Sequence, residues 1–286
     1  MDLQHIKQRI ARDHFDWIFR RGGESLISGI GVIQREGSRP FLEILLKPDT
    51  DPRRLMKVVT AEYRVSPELI SLNSAPAAVA LRSVSSGGAV GHYRCACLGT
   101  AGALVYGRRE QRWFMLSNSH VLALNGDGRV GDPLVDRTGQ RIGRLARATS
   151  LDPRRVHLAD AALGELEHGV AAGVSHFLQK GTAKIGDAVT KQGASSGSTS
   201  ATVVCVDYAL AVGLPTGEVW FDNQIVMEQP FTPVARPGDS GAVVRRMDAG
   251  GSVVGLVFAA SQTPTGLYWR GFANHISNVD RALSIG

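Results

Sequence analysis

Three observations predict a mainly β protein preceded by a small α/β unit. Glycine is abundant, 33 of 286 residues, and aromatics are few at 6%, which suits many tight turns. Beyond about residue 92 the apolar runs are short and are separated by turn residues. No β-α-β alternation is evident, which argues against a doubly wound sheet or a parallel barrel.

Leu3, Ile6, Ile10 and Trp17 recur near the helical period, and Phe15, Ile18 and Phe19 widen the stripe, so residues 3–20 are expected to form an amphipathic helix. Arg20, Arg21 and Gly22 make a fitting stop. The runs 25–34 and 41–47 flank a turn at 35–40 and read as a hairpin. Asp49 to Pro52 can cap a second helix running to about Arg64, although Val58 to Val65 would also suit a strand. Residues 1–78 therefore form the α/β unit. Residues 79–91, rich in Ser and Gly, read as a linker, and 92–286 as the main domain. Its strand candidates include 100–107 with 112–117, then 141–149, 160–166, 187–193, 199–208, 218–227, 241–247, 252–260 and 266–274; a short helix closes the chain, with Ile276, Val279 and Leu283 on one face.

Composition narrows the function classes. No apolar run approaches the roughly 18 residues of a membrane span. The N-terminal stretch is charged and amphipathic rather than a secretory signal, so a cytoplasmic protein without a membrane partner is expected. Three cysteines, Cys95, Cys97 and Cys205, fit reduced thiols better than a disulfide framework. No ligand spacing suggests a metal, and no cofactor is expected. The net charge is +6, but the arginine pairs (20–21, 53–54, 108–109, 154–155, 245–246) are scattered without interleaved aromatics, as on a solvated surface rather than a nucleic-acid site.

The chemistry concentrates in three places. Pro237-Gly238-Asp239-Ser240-Gly241 precedes an apolar run. A serine hydroxyl needs a base to become a nucleophile and donors where an oxyanion develops; Gly238 permits the backbone turn that aims successive N–H groups into one hole. His120 ends the half-apolar strand 113–117, and imidazole is suited to proton transfer near neutrality. The other histidines, at 5, 14, 92, 157, 168, 176 and 275, lack that setting. Asp160 opens the apolar run 161–163; a carboxylate there is expected to be buried and to need a partner such as an imidazole N–H. Asp127, Asp132, Asp136 and Asp152 lie in Gly- or Pro-rich turns, where capping is the usual role.

The order His120, Asp160, Ser240, spaced by 40 and then 80 residues, and the Gly-Asp-Ser-Gly setting resemble the trypsin-like, chymotrypsin-fold serine peptidases. The run 160–166 resembles that family's Asp-x-Ala-Leu strand, 191–199 the turn that opens the second barrel in bacterial members, and 253–258 the strand lining the cleft. The phrases Ser117-Asn118-Ser119-His120-Val121 and Phe272-Ala273-Asn274 are similar to a branch of bacterial trypsin-like proteins and plant narrow-leaf peptidases. The resemblance covers residues 92–284. It implies a double six-stranded β-barrel, a Ser-His-Asp triad, an oxyanion hole from the N–H groups of Gly238 and Ser240, and a protein or peptide substrate. Val234, six residues before Ser240 where animal trypsins place an aspartate, with Phe258, Ala259 and Ala260, implies an apolar pocket. No Ile-Val-Gly-Gly segment is present to pair with Asp239. Other readings are a catalytically silent scaffold, and a peptidase gated by a partner docked on residues 1–78, as in bacterial defence systems.

Overall fold

The computed structural model describes residues 2–20, 23, 25–47, 50–74, 78–80, 88–107, 110–167 and 179–285. His168, His176, Arg21, Gly22, Asp49, the pair Arg108–Arg109 and most of the expected linker lie outside the described residues.

The N-terminal elements are α1 (Leu3–Phe15), a wider π turn (Asp16–Arg20), β1 (Ile27–Ile33), β2 (Phe41–Leu46), α2 (Pro52–Tyr63) and β3 (Ile70–Ser74). Asp2 caps α1 by accepting from the N–H groups of Gln4 and His5, and Asp51 caps α2 by accepting from Arg53 N–H. Leu3, Ile6 and Ile10 pack with Ile30, Ile44 and Val59, with Phe15 and Ile18 against them, so most of the expected apolar stripe is the buried face; Trp17, in the wider turn that replaces the end of the expected helix, is instead 49% exposed. Residues 58–63 are helical, not a strand. β1 and β2 form the expected antiparallel hairpin, but β2 and β3 run parallel across α2. This corrects the expectation of no β-α-β connection: there is one, in the small unit.

Residues read as a linker contain strand residues. β4 (Ala78–Ala80) and β5 (Ala89–His92) are both paired. With β6 (Gly99–Thr100), β7 (Ala103–Gly107), β8 (Arg112–Ser117), β9 (Pro133–Asp136), β10 (Arg141–Ala148) and β12 (Ala162–Leu166), β5 builds a curled sheet in the order β6-β5-β9-β10-β12-β8-β7. This first barrel has seven strands, one more than expected, because the two-residue β6 adds to β5.

The second barrel uses β13 (Ala188–Gly193), β14 (Gly197–Leu214), β15 (Gly217–Pro230), β16 (Val243–Arg246), β17 (Val253–Gln262) and β18 (Tyr268–His275). Their pairings run β13-β14-β15-β18-β17-β16 and back to β13, a closed ring of six strands. β14 and β15 extend beyond the ring as a long hairpin. β1 pairs with β14 at Gly29–Leu210 and Ile30–Ala209, and β11 (Val156–His157) runs parallel to β15. The sheet of the small unit is therefore continuous with the second barrel. Charge reinforces the joint. Buried Lys7 of α1 binds Asp207 and Asp222, each at 2.9 Å. Buried Arg270 of β18 grips Glu43 of β2 through two nitrogens, at 2.6 and 3.1 Å, and Glu228 of β15 at 2.7 Å. α4 (Ile276–Leu283) closes the chain, burying Ile276, Val279 and Leu283 as the sequence implied.

Candidate active site

β8 ends at Ser117, and the one-turn helix α3 (Ser119–Leu122) follows. That short turn swings His120 off the strand toward the residues just before β12. There the His120 N–H donates to Asp160 Oδ1 at 3.1 Å, and Nδ1 contacts Asp160 Oδ2. A carboxylate accepts only, so Nδ1 carries the proton and Nε2 is left as the basic nitrogen. Both side chains are buried at about 1% exposure.

The Asp160 segment is held from both barrels. Asn118 Nδ2 donates to Asp160 O at 2.6 Å, and the Asp160 N–H donates to Asn274 Oδ1 at 3.1 Å. Asn274 in turn donates to Gln224 Oε1 at 2.7 Å, and Gln224 Nε2 donates to Leu158 O at 3.1 Å. These amides fix the carboxylate's direction, which a lone loop would not.

Ser240 sits in a tight turn. The Asp239 N–H donates to Arg236 O at 2.9 Å, and Gly238 has φ +98°, the left-handed conformation a Pro-Gly turn of this kind requires. The Gly238 carbonyl accepts from Thr100 Oγ1 at 2.8 Å, while its N–H has no partner among the described residues. Gly241 has φ +94°, and a Cβ there would lie 2.2 Å from Ser117 Oγ and 2.3 Å from Thr100 O. The turn thus rests on the end of β8, three residues before His120. The Thr100 N–H donates to Ser240 O at 2.7 Å, and a Cβ on Gly99 would meet both Ser240 O and the Val121 side chain. Ser240 and the residue after His120 therefore flank the same glycine.

Asp239 is fixed from within the chain. Its carboxylate accepts from Lys191 Nζ at 2.6 Å, Ser196 Oγ at 2.5 Å, the N–H groups of Ser195 and Ser196 at 3.0 Å and that of Arg236 at 2.9 Å. Burial opposes its ionisation, but Lys191 and these donors outweigh it and hold the carboxyl below its ordinary value.

The four residues expected in the pocket divide between two clusters. Val234 and Ala260 pack together with Met227; Gly271, paired with Ala260, lies against them, since a Cβ there would be 2.9 Å from Val234. Phe258 and Ala259 pack instead with Tyr208, Phe221 and Phe272, Phe258 lying 4.8 Å from the Phe221 ring. A register shift between Val257 and Ala259 breaks the simple alternation. His275 is a packed histidine whose Nε2 meets Val206 O at 2.7 Å, and burial lowers its pKa.

Three of the rival carboxylates, Asp132, Asp136 and Asp152, stabilise turns. Asp132 binds buried His92 at 2.9 Å and the Arg129 N–H, Asp136 accepts from Thr138 and Gln140 N–H, and Asp152 pairs with Arg154. Cys95 and Cys97 are half-buried, reduced cysteines, and burial pushes the Cys205 thiol up to about 12. Among the described residues no helix is long and apolar enough to cross a membrane. Thr100, Lys191, Asn274 and Gln224 went unremarked as site residues in the sequence. Lys191 carried a signal as a lysine within the turn region opening the second barrel, and Asn274 as part of the phrase Phe272-Ala273-Asn274.

No protein-family model matches the chain, and no curated protein matches it. Solved structures do. A glutamic-acid-specific serine protease aligns with 18% identity over 69% of this chain and 96% of its own, with a TM-score of 0.50. A Nocardiopsis protease aligns at 18% identity over 70% and 96% with a TM-score of 0.47, and a Cellulomonas bogoriensis chymotrypsin at 19% over 70% and 94% with a TM-score of 0.45. The double-barrel fold of this chain is the trypsin-like, chymotrypsin-type fold.

Proposed function

We propose that this chain is a serine endopeptidase with Ser240 as nucleophile, His120 as general base and Asp160 as the carboxylate that orients the base. The observation that carries the reading is the double grip of Asp160 on His120, one oxygen on the backbone N–H and the other at Nδ1. A histidine that merely packs needs no carboxylate fixed by amides from two barrels.

In this mechanism Ser240 Oγ attacks the carbonyl carbon of a peptide bond while His120 Nε2 takes the hydroxyl proton. The carbonyl oxygen becomes an oxyanion, met by the N–H groups of Gly238 and Ser240. The imidazolium is stabilised by Asp160, and its proton passes to the leaving amine as the C–N bond breaks, giving an acyl-serine. Water then attacks the ester with His120 as base, releasing the acid and restoring Ser240.

Lys191 supports competence of the intact chain. Its ammonium holds Asp239, next to the nucleophile, so the turn that aims the Gly238 N–H is built without a cleaved N-terminus. The wall of Val234, Ala260 and Gly271 favours a small or medium apolar side chain before the scissile bond, and a basic one would leave its charge unpaired there. A cytoplasmic protein is the substrate this reading expects.

The test is cleavage of a peptide library by purified wild type beside Ser240→Ala. Wild-type turnover with apolar residues before the cut, absent from Ser240→Ala, is the expected result; equal products from both proteins would defeat the reading.

A further inference from the structure

β17 offers an edge beside the nucleophile. β16 covers that edge only as far as Leu256. The chain then turns away at the nucleophile loop, with the Gly241 N–H donating to Val257 O at 2.8 Å and the Val257 N–H to Ala242 O at 2.9 Å. Beyond Val257 the backbone groups of β17 would be open to an added strand, the usual way an extended peptide binds a sheet.

In this chain that edge is filled from within. β4 pairs antiparallel with β17, Val79 opposite Ala260 and Ala80 opposite Ala259, and parallel with β14, Ala78 opposite Val212 and Val79 opposite Gly213. It lies in a slot between two strands. Its direction is the informative feature. Running from Val79 to Ala80 it advances along β17 from Ala260 to Ala259, toward Val257, which is about 7 Å further along at strand spacing and whose carbonyl accepts from the N–H of Gly241, the residue after Ser240. Where the chain is next described, at Gly88, the Gly88 carbonyl accepts from Ala101 N–H, the neighbour of the Thr100 that binds Ser240 O.

We propose that Ala78–Ala80 is an internal substrate mimic: it occupies the strand site that a substrate's residues before the scissile bond would use, and substrate proteins bind by displacing it with an extended segment of their own. This rests on the peptidase reading above. The strand is three residues long, so few backbone hydrogen bonds hold it. That makes it displaceable by a longer strand. An occupant of this kind lowers apparent substrate affinity by the fraction of molecules whose site is open.

Two measurements test this on the full chain. Val79→Pro removes the amide of a residue flanked on both edges and disfavours the strand. It is expected to raise kcat/KM on a fluorogenic peptide about tenfold, the gain from freeing a site open in one molecule in ten. Labelling of Ser240 by a small fluorophosphonate, which needs no strand site, is expected in both proteins. The second measurement needs no variant. Hydrogen exchange over residues 78–80 of wild type should rise when Ser240 is capped with a tetrapeptidyl phosphonate ending in valine, and should not rise with the small fluorophosphonate. Labelling in both proteins with equal peptide cleavage, or unchanged exchange under the peptidyl cap, overturns this inference alone. Absence of labelling in folded wild type overturns the peptidase reading and this inference with it.

Discussion

Replacing Lys191 with methionine isolates how the nucleophile loop is held. The Lys191–Asp239 contact is 2.6 Å long, with both side chains at 2% exposure or less. Removing one partner of such a buried pair typically costs about 3–5 kcal/mol, because the remaining charge is left uncompensated. Three backbone N–H groups and Ser196 Oγ still reach Asp239, so the lower end, about 3 kcal/mol, is expected. For a chain of this size that corresponds to a fall in Tm of roughly 6–12 °C. The local effect should exceed the global one, since Asp239 adjoins both proposed oxyanion donors. Loss of one such donor lowers kcat by about 10²–10³, and a loss of that order is expected in kcat/KM.

Scanning calorimetry and peptide hydrolysis read the two effects, and pH separates positioning from simple damage. The folded Asp239 carboxyl is held below its ordinary value, so the stability it contributes is present above the unfolded pKa, about 3.9, and is lost as pH falls through the lower folded value. The part due to Lys191 exists only while Asp239 is ionised. The stability gap between wild type and Lys191→Met should therefore be widest at pH 7 and narrow as pH falls below about 4. Adding Asp239→Asn to Lys191→Met should recover stability, by removing the unpaired charge, without recovering kcat/KM. A Lys191→Met protein with unchanged Tm and kcat/KM, or a gap independent of pH, would refute the reasoning.

Three further results are expected. Asp160→Asn should leave the fold intact and lower kcat by about 10⁴, because an amide stabilises the wrong imidazole tautomer; steady-state kinetics beside a circular-dichroism spectrum check it. Arg270→Met breaks the buried contacts to Glu43 and Glu228 that join the small unit to the second barrel, and should cost about 3–5 kcal/mol in urea unfolding. Gly241→Ala places a Cβ 2.2 Å from Ser117 Oγ at a positive φ, so labelling of Ser240 should disappear at a temperature where wild type stays folded.

What could be read from residues alone follows from how local each signal is. α1 declared itself through a repeated apolar face, and His120 through its place at a strand end. Ser240 and Asp160 were legible because each opens an apolar run and belongs to a distinctive phrase. Lys191 is 48 residues from Asp239, and nothing in either neighbourhood names the other. Thr100 and Gln224 are ordinary polar residues until the fold brings carbonyls and amides to them, and the phrase that contains Asn274 does not say what its side chain binds. The hairpin of β14 and β15 was read too short because its outer half pairs with β1, a partner some 180 residues away in sequence. β3 was missed because its few residues gain strand character only beside β2. The resemblance to a cleft-lining strand groups Phe258, Ala259 and Ala260 together, and the packing of Phe258 and Ala259 apart from Ala260 follows from a register shift that the sequence does not display.

The most direct measurement is the mass of the intact protein after reaction with a fluorophosphonate, with the adduct mapped by peptide sequencing. One adduct per chain on Ser240, lost in His120→Ala, is the expected result. Folded wild type that gains no mass, or an adduct formed equally well without His120, would contradict the account.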